Sequence, residues 1–219
     1  MPGDWTATID IYCERVGQAF WAEPVNAITN AAFIVAAALV FLRQRRDGTL
    51  EAGSGILLAL MAAIGIGSFL FHTVATRWAA LADTLPILLF ILVYLALTLR
   101  RGFGLSWVVA GALTLAFVPA SAALASGLSS VVGGALGGSQ GYLPAFLALL
   151  IVGFILHLRG HQTGGGLMLA AGLFAVSLTF RTLDQKLCAA VPFGTHFMWH
   201  VLNAVLLGWL VVIQARMRG

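Results

Sequence analysis

The last long apolar segment of the sequence begins with GTHFMWHVLNA, residues 194–204. His196 and His200 are four residues apart in it, so on a helix both imidazoles project from one face, about one turn apart. This spacing suits two ligands of one metal ion. In a soluble helix the same pattern is more often a solvated face, whereas ionisable residues inside membrane helices are rare and mark functional sites. The meaning of the pair therefore depends on whether the chain lies in a membrane.

The composition indicates an integral membrane protein. The chain of 219 residues is 60% hydrophobic and only 9% charged, and its mean hydropathy is +0.97. So few polar side chains cannot cover a soluble globule of this length. The net charge of +4 does not indicate a nucleic-acid partner, because the basic residues lie singly or in pairs at the ends of apolar runs, where they act as topology signals.

Apolar runs long enough to cross the hydrocarbon layer, about 20 residues each, predict an all-α, polytopic fold with seven transmembrane helices. They lie near residues 25–43, 54–73, 79–99, 104–123, 141–158, 165–182 and 194–215. Residues 1–23 are acidic and have no apolar core, so we expect an extracytoplasmic N-terminal segment rather than a signal peptide. Residues 24–219 form the predicted seven-helix domain. The Gly- and Ser-rich stretch from Gly127 to Gly141 is predicted to be a long loop.

The distribution of Lys and Arg predicts the orientation in the membrane. One set of loops and the C-terminus carry eight basic residues, Arg43, Arg45, Arg46, Arg100, Arg101, Arg159, Arg216 and Arg218. The other side carries four, Arg15, Arg77, Arg181 and Lys186. The more basic side faces the cytoplasm. We therefore expect the N-terminus outside and the C-terminus in the cytoplasm, and a bacterial inner membrane as the location.

With this topology, the polar residues of three spans converge at the outer side. His72 ends the second span, Asp83 begins the third, and His196 and His200 open the seventh; Ser68 shares a helix face with His72. Three neutral imidazoles with one open coordination position are the ligand set of a catalytic zinc. The alternative is structural: His72 caps its helix, and the other two imidazoles hydrogen-bond to carbonyls across the bundle.

A second histidine pair does not belong to this cluster. His157 and His161 also have four-residue spacing, and they flank Arg159 at the cytoplasmic end of the fifth span. A solvated or headgroup-facing group explains them, and the thickness of the bilayer separates them from His72, His196 and His200.

The acidic N-terminal segment has two interpretations. Residues 10–14 and 21–26 offer carboxylate and carbonyl oxygens, which are the ligands that calcium prefers; a solvated acidic tail is the alternative. Cys13 and Cys188 are both expected outside, where an oxidising compartment permits a disulfide. Two free, buried thiols are the alternative to that bridge.

The set of motifs resembles the alkaline ceramidase family, within a wider group of seven-helix membrane hydrolases that includes the adiponectin-receptor type. The matching motifs run from residue 10 to about residue 204 in the family's order. They are Cys13-Glu14, the run EPVNAITN at 23–30, Ser68-x-x-x-His72 followed by Asp83, Arg181-x-x-Asp184-x-x-x-Cys188, and His196-x-x-x-His200.

The resemblance implies roles for individual residues. His72, His196 and His200 match the zinc ligands, and Ser68 and Asp83 match the active-site serine and aspartate. The backbone of Tyr12 and the side chains of Glu14 and Glu23 match part of a calcium site. The sequence departs from the family at that second site: Ile11 or Asp10 stands for the first acidic ligand, Val16 stands where an asparagine is usual, and the spacing to Glu23 is shorter.

The family's reaction is hydrolysis of the amide bond of ceramide, so the resemblance implies a membrane lipid as the substrate. Zinc would activate water and polarise the amide carbonyl, and Asp83 would accept the proton and pass it to the leaving amine. Ser68 would donate a hydrogen bond to the oxyanion; a nucleophilic role for it lacks the G-x-S-x-G motif. A seven-helix receptor or proton transporter is the competing function, since intramembrane Asp and His also form proton relays. No inverted repeat or pair of broken helices supports a transporter.

Overall fold

The computed structural model describes residues 4–217, and its regular structure is helical. Seven helical spans within that range are long and apolar enough to cross a membrane, which confirms the predicted all-α fold with seven such helices; the orientation of the termini stays a prediction. The helices are α1 (Pro24–Thr29), α2 (Ala31–Arg46), α3 (Ala52–Val74), α4 (Arg77–Gly102), α5 (Trp107–Val132), α6 (Leu143–Leu158), α7 (Gly164–Leu187) and α8 (His196–Arg216). α1 and α2 are separated only by Asn30 and together form the first span.

The prediction of a long loop from Gly127 to Gly141 is largely wrong. α5 continues to Val132, and two short 3-10 helices follow, Gly133–Leu136 and Ser139–Tyr142. In an apolar environment a chain satisfies its backbone groups most completely as a helix, and Ala, Leu, Ser and Val dominate the sequence up to Val132. The consecutive glycines 137 and 138, both with positive φ, separate the two 3-10 helices.

The two helices that carry the histidines lie at the centre of the bundle. In an apolar stretch of 18 residues within each span, 50% of the residues of α3 and 56% of those of α8 are buried, against 11% of those of α5. Leu57, Met61 and Ile64 of α3 and Leu206 and Ile213 of α8 belong to the same core cluster. The outer helices keep large apolar side chains on their surface, as lipid-facing helices do. The histidines are therefore carried by the most enclosed elements of the fold.

The N-terminal segment, residues 4–23, folds over the turn between α3 and α4. The Ile9 amide donates to the Ala75 carbonyl (2.7 Å), and the Arg77 amide donates to the Ala7 carbonyl (3.1 Å). Thr8 and Thr76 form an antiparallel bridge between these hydrogen bonds. These backbone bonds bring the residues after Ile9 to the end of the bundle where α3 ends and α8 begins.

Candidate metal centre

Three histidines meet at this end of the bundle. His72 lies in the last turn of α3, and His196 and His200 lie in the first turns of α8. The ring centroids are 5.2 Å apart for His72 and His196, and 4.7 Å apart for each of the other two pairs. One ring nitrogen of each histidine lies within 4.8 Å of a ring nitrogen of each of the others. His72 and His196, which are 124 residues apart in sequence, thus belong to one compact cluster.

The chemistry of the cluster fits a metal ion. His72 Nε2, His196 Nδ1 and His200 Nε2 are buried, and none has a hydrogen-bond partner in the described part of the chain. A buried polar atom without a partner is unfavourable by roughly 1–3 kcal/mol, and three such atoms in one cluster would be unfavourable together. A cation that accepts all three lone pairs removes that penalty. The three-histidine group can therefore hold a metal ion.

In His72 and His200, the second ring nitrogen, Nδ1, has a hydrogen-bond partner within the protein. His72 Nδ1 lies 2.5 Å from Glu23 Oε2, and His200 Nδ1 lies 3.0 Å from Thr29 Oγ1. The Thr29 hydroxyl donates to the Val25 carbonyl (2.8 Å), so it accepts the proton of His200 Nδ1. Partners of this kind fix the tautomer of a metal-binding histidine and leave Nε2 free for the metal.

These two partners were not predicted from the sequence. Glu23 was expected to bind calcium, and Thr29 was not assigned a function. Both belong to the EPVNAITN run at residues 23–30. The sequence does contain one signal for Glu23: it lies directly before an apolar span. A carboxylate that is buried there needs a hydrogen-bond donor or a positive charge beside it. Burial acts to raise the pKa of Glu23, but the hydrogen bond from His72 and the nearby Arg15 hold that pKa below its usual value.

Tyr12 covers the histidine cluster from the N-terminal side. Its ring stacks on His196 with centroids 3.7 Å apart and an angle of 22° between the planes, and it lies 5.2 Å from the His72 ring. Its hydroxyl accepts a hydrogen bond from Arg181 (3.5 Å). Burial raises the pKa of Tyr12 well above its usual value, so the hydroxyl stays protonated. The Tyr12 side chain thus covers one face of the His196 ring.

Ser68 and Asp83 lie beside the cluster. Ser68 is buried (3% exposed) one turn before His72 on α3. The Asp83 carboxylate, on α4, lies close enough to the Ser68 hydroxyl to accept its hydrogen bond, and His72 and Arg181 are within range of electrostatic interaction with it. The structure therefore brings together all five residues that the sequence placed at one site: the three histidines, the serine and the aspartate.

The position of Asp83 depends on a close contact between helices. A Cβ atom at Gly67 would lie 2.0 Å from the Ala82 carbonyl oxygen and 3.1 Å from the Asp83 amide nitrogen. Real atoms do not approach so closely, so only glycine permits this spacing between α3 and α4. Gly67 is the residue before Ser68, and it therefore sets the distance between the serine and the aspartate.

We expect Gly67→Ala to separate α3 from α4 and to displace Asp83. The destabilisation expected from overpacking is roughly 1–3 kcal/mol, and a displacement of about 1 Å at a reacting group lowers turnover by about 10²-fold. Gly55→Ala is the matched control, because a Cβ at Gly55 of the same helix meets nothing within 4 Å. Comparing hydrolysis rates and melting temperatures tests this; equal behaviour of the two variants would contradict it.

The residues expected to bind calcium have protein partners. Glu14 Oε1 accepts from the Val25 amide (2.7 Å) and Glu14 Oε2 from the Asn26 amide (2.8 Å), so this carboxylate caps the N-terminus of α1. Glu23 bonds to Arg15 and His72. Among residues 4–217, the histidine cluster is the one group of three or more His, Cys, Asp or Glu side chains arranged to hold a metal ion. The calcium site of Tyr12, Glu14 and Glu23 stays a prediction.

Asp184 joins three segments of the chain. Its Oδ1 accepts from the Thr195 amide (2.7 Å) and the His196 amide (2.9 Å), and its Oδ2 accepts from the Cys13 amide (2.9 Å). The carboxylate thus satisfies the free N–H groups at the start of α8. Gly194 is required beside it, since its φ is +65° and a Cβ there would lie 2.1 Å from Asp184 Oδ1. Sequence analysis assigned no function to Asp184.

Cys13 and Cys188 form a disulfide, with Cα atoms 5.6 Å apart. The bond ties the N-terminal segment to the chain between α7 and α8, next to the Asp184 contacts.

Thiol labelling of the denatured protein without reductant should detect no free thiol, and labelling after reduction should detect both cysteines. We also expect Cys13→Ser to lower the free energy of unfolding by about 2–4 kcal/mol. Two reactive thiols before reduction would contradict the bridge.

His157 and His161 lie apart from the cluster, as expected. His157 is in the last turn of α6 and His161 in the turn that leads to α7, the end of the bundle opposite the start of α8. His161 Nδ1 is 2.9 Å from Thr163 Oγ1. This local hydrogen bond gives the Nδ1 atom of His161 a partner, so the position of the His161 ring is explained without a metal ion.

An apolar cavity lies within the bundle, and part of its lining comes from α8. Its volume is about 110 Å³, and α4, α5, α6, α7 and α8 contribute to its lining. Trp199 and Asn203, on either side of His200 in the sequence, line one part of it, while Tyr94 and Thr98, further along α4, line another. The cavity is therefore an apolar space within the bundle that reaches the helix carrying two of the three histidines.

Fold and site together define a class: a protein with seven helices apolar enough to span a membrane, and with three buried histidines that can hold a metal ion beside a serine and an aspartate. The comparison with protein families identifies the group within that class. The family model named Ceramidase matches residues 3–218, nearly the whole chain. The chain belongs to the Ceramidase family, as the resemblance of its motifs indicated. A comparison with curated proteins finds no match.

Membership in this family supports ceramide-hydrolysing activity in general, and thus a hydrolase that acts on amide bonds. It also implies a lipid substrate, which agrees with the membrane-spanning helices.

Proposed function

We propose that this protein is a zinc-dependent hydrolase that cleaves the amide bond of ceramide, or of a closely related lipid amide, to a long-chain base and a fatty acid. The observation that carries the proposal is the set of three unpartnered histidine nitrogens beside Ser68 and Asp83. Three imidazoles leave one position of a tetrahedral zinc open, which is typical of catalytic rather than structural zinc sites. A zinc ion held there supplies Lewis-acid chemistry to water and to the amide carbonyl.

The residues of the chain provide proton transfer and charge stabilisation. Asp83 accepts a proton from the attacking water, whose oxygen forms a bond to the carbonyl carbon. When the carbon–nitrogen bond breaks, Asp83 returns that proton to the leaving amine. The Ser68 hydroxyl donates to the Asp83 carboxylate in the resting protein; once Asp83 is protonated, the same hydroxyl donates to the carbonyl oxygen as negative charge develops there. The products are a carboxylic acid and a free amine.

The apolar cavity supports a lipid substrate. Its surface is almost entirely apolar, so it favours a hydrocarbon chain over a polar ligand, because burying the chain removes apolar surface from water. It reaches the residues that flank His200. A chain in the cavity would therefore place the amide group near the metal centre.

The location of the site follows from the proposed topology. Lys and Arg are more numerous on the side of the C-terminus than on the side of the N-terminal segment. This excess favours an outer position for the N-terminal segment and the metal centre. The Cys13–Cys188 disulfide supports the same orientation, because disulfides persist in oxidising compartments. We therefore propose that the amide bond is cleaved in the outer half of the bilayer, with the C-terminus in the cytoplasm.

Hydrolysis of ceramide by the purified protein in detergent tests the proposal. We expect release of the free long-chain base from a long-chain ceramide, and much less hydrolysis of a water-soluble amide that carries no hydrocarbon chain. Mass spectrometry of both products distinguishes hydrolysis from binding alone. A zinc-loaded, folded protein that binds ceramide without cleaving it would support the receptor function instead.

A further inference from the structure

The N-terminal segment contains a buried cation that the proposed reaction does not use. Arg15 is only 7% exposed. All three nitrogens of its guanidinium group donate hydrogen bonds: Nε to Glu23 Oε1, Nη1 to the Gly17 carbonyl (3.3 Å), and Nη2 to the His72 carbonyl (2.9 Å). A buried charge is stable only when it is paired and hydrogen-bonded, and Arg15 satisfies both conditions.

Arg15 is connected to the metal centre in two ways. Glu23 bonds to Arg15 through Oε1 and to His72 Nδ1 through Oε2, at 2.5 Å. In addition, Arg15 bonds to the carbonyl of His72, in the last turn of α3, where backbone carbonyls lack helical partners and a positive charge is favourable. The guanidinium group therefore contacts both the backbone of one histidine and the carboxylate that orients its ring.

A calcium ion does not fit this segment. Calcium binds 6–8 oxygen ligands, but both oxygens of Glu14 cap α1 and both oxygens of Glu23 have protein donors. Val16, which stands at the position of the usual asparagine, has no side-chain oxygen and is 85% exposed. A divalent ion that used Glu23 would also lie next to the guanidinium charge, and the two cations would repel each other.

We propose that Arg15 takes the place of a bound calcium ion in this protein. The guanidinium group neutralises Glu23, satisfies the end of α3 and fixes the Glu23 carboxylate where it orients the His72 ring. Arg15 is accordingly a positioning residue for the metal centre, and the protein functions without calcium. The link to His72 rests on the proposed zinc site, whereas the absence of a calcium requirement does not.

Zinc and calcium binding, measured separately, test this inference. We expect the purified wild-type protein to bind no calcium, and its melting temperature and zinc affinity to be the same with added calcium as after dialysis into calcium-free buffer. Arg15→Gln should weaken zinc binding by about 10–100-fold, the usual effect of losing a partner of a metal ligand. Arg15→Lys, which keeps the charge, should recover part of the affinity. Arg77→Gln is the control, because Arg77 is exposed at the same end of the bundle.

Several outcomes would overturn the inference. Stoichiometric calcium in the wild-type protein, or a calcium-dependent melting temperature, would do so even if Arg15→Gln fails to fold. Equal zinc affinity of the wild type, Arg15→Gln and Arg77→Gln would refute the positioning role. Failure of the proposed zinc site gives a different result, since in that case the wild-type protein would bind no zinc at all. A folded protein that binds zinc but does not cleave ceramide would contradict the proposed function and leave these binding results unchanged.

Discussion

His200→Ala should remove most of the zinc from the purified protein and abolish hydrolysis. The substitution deletes one of three ligands, and the remaining two imidazoles fill only half of a tetrahedral coordination shell. His72→Ala and His196→Ala should have the same effect, because each of the three rings contributes one unpartnered buried nitrogen. We expect about one zinc ion per wild-type chain, as for a site with a single set of three ligands. Elemental analysis of the purified variants measures the metal directly.

His157→Ala is the matched control for these variants. His157 is exposed and lies at the opposite end of the bundle, so its loss should leave zinc content and turnover unchanged. Circular dichroism should show the same helix content in all four variants. If the three cluster variants each retained one zinc ion per chain, the ligand assignment would be wrong.

Asp83→Asn should abolish turnover but leave zinc bound. Asparagine has nearly the same shape as aspartate, so the contact between α3 and α4 at Gly67 is preserved, yet its amide cannot accept the proton from water. Losing a positioned general base lowers the rate by about 10²–10⁴-fold. The proposed ligands are three histidines only, and for this reason the metal content should not change.

Two further variants define the role of Asp83. Asp47→Asn removes an exposed carboxylate after α2, at the other end of the bundle, and should have no effect. Ser68→Ala should lower turnover by less than Asp83→Asn, because one hydrogen bond to an oxyanion contributes about 10²–10³-fold at most and the zinc ion shares that task. Loss of zinc from Asp83→Asn would show that Asp83 is a metal ligand; near-normal turnover would show that it is not the base.

The fold could be predicted because each span is a local property of the sequence. Every helix needs about 20 apolar residues, and the charged residues at its ends mark where it leaves the membrane. The prediction fails between Gly127 and Val132, where Gly127, Ser129 and Ser130 resemble the residues of a loop. Inside a membrane the requirement for internal hydrogen bonds outweighs the weak helix propensity of such residues, so the helix continues to Val132.

The metal centre could be predicted only in part. His72, His196, His200, Ser68 and Asp83 were identifiable because polar residues stand out within apolar spans, and the topology placed them at one level. Glu23, Thr29, Arg15 and Asp184 bond to partners far away in the sequence: 49 residues separate Glu23 from His72 and 171 separate Thr29 from His200. Such pairings depend on how the N-terminal segment folds over the bundle, and no local pattern determines that.

The central claim is that the three histidines hold a zinc ion that hydrolysis of the lipid amide requires. The most direct measurement is the release of long-chain base from ceramide by metal-free protein as zinc is added back. We predict no hydrolysis without zinc, a rise that is complete at about one zinc ion per chain, and no recovery in His200→Ala. Hydrolysis at the full rate in the metal-free protein, or none in a folded protein that has bound its zinc, would contradict the claim.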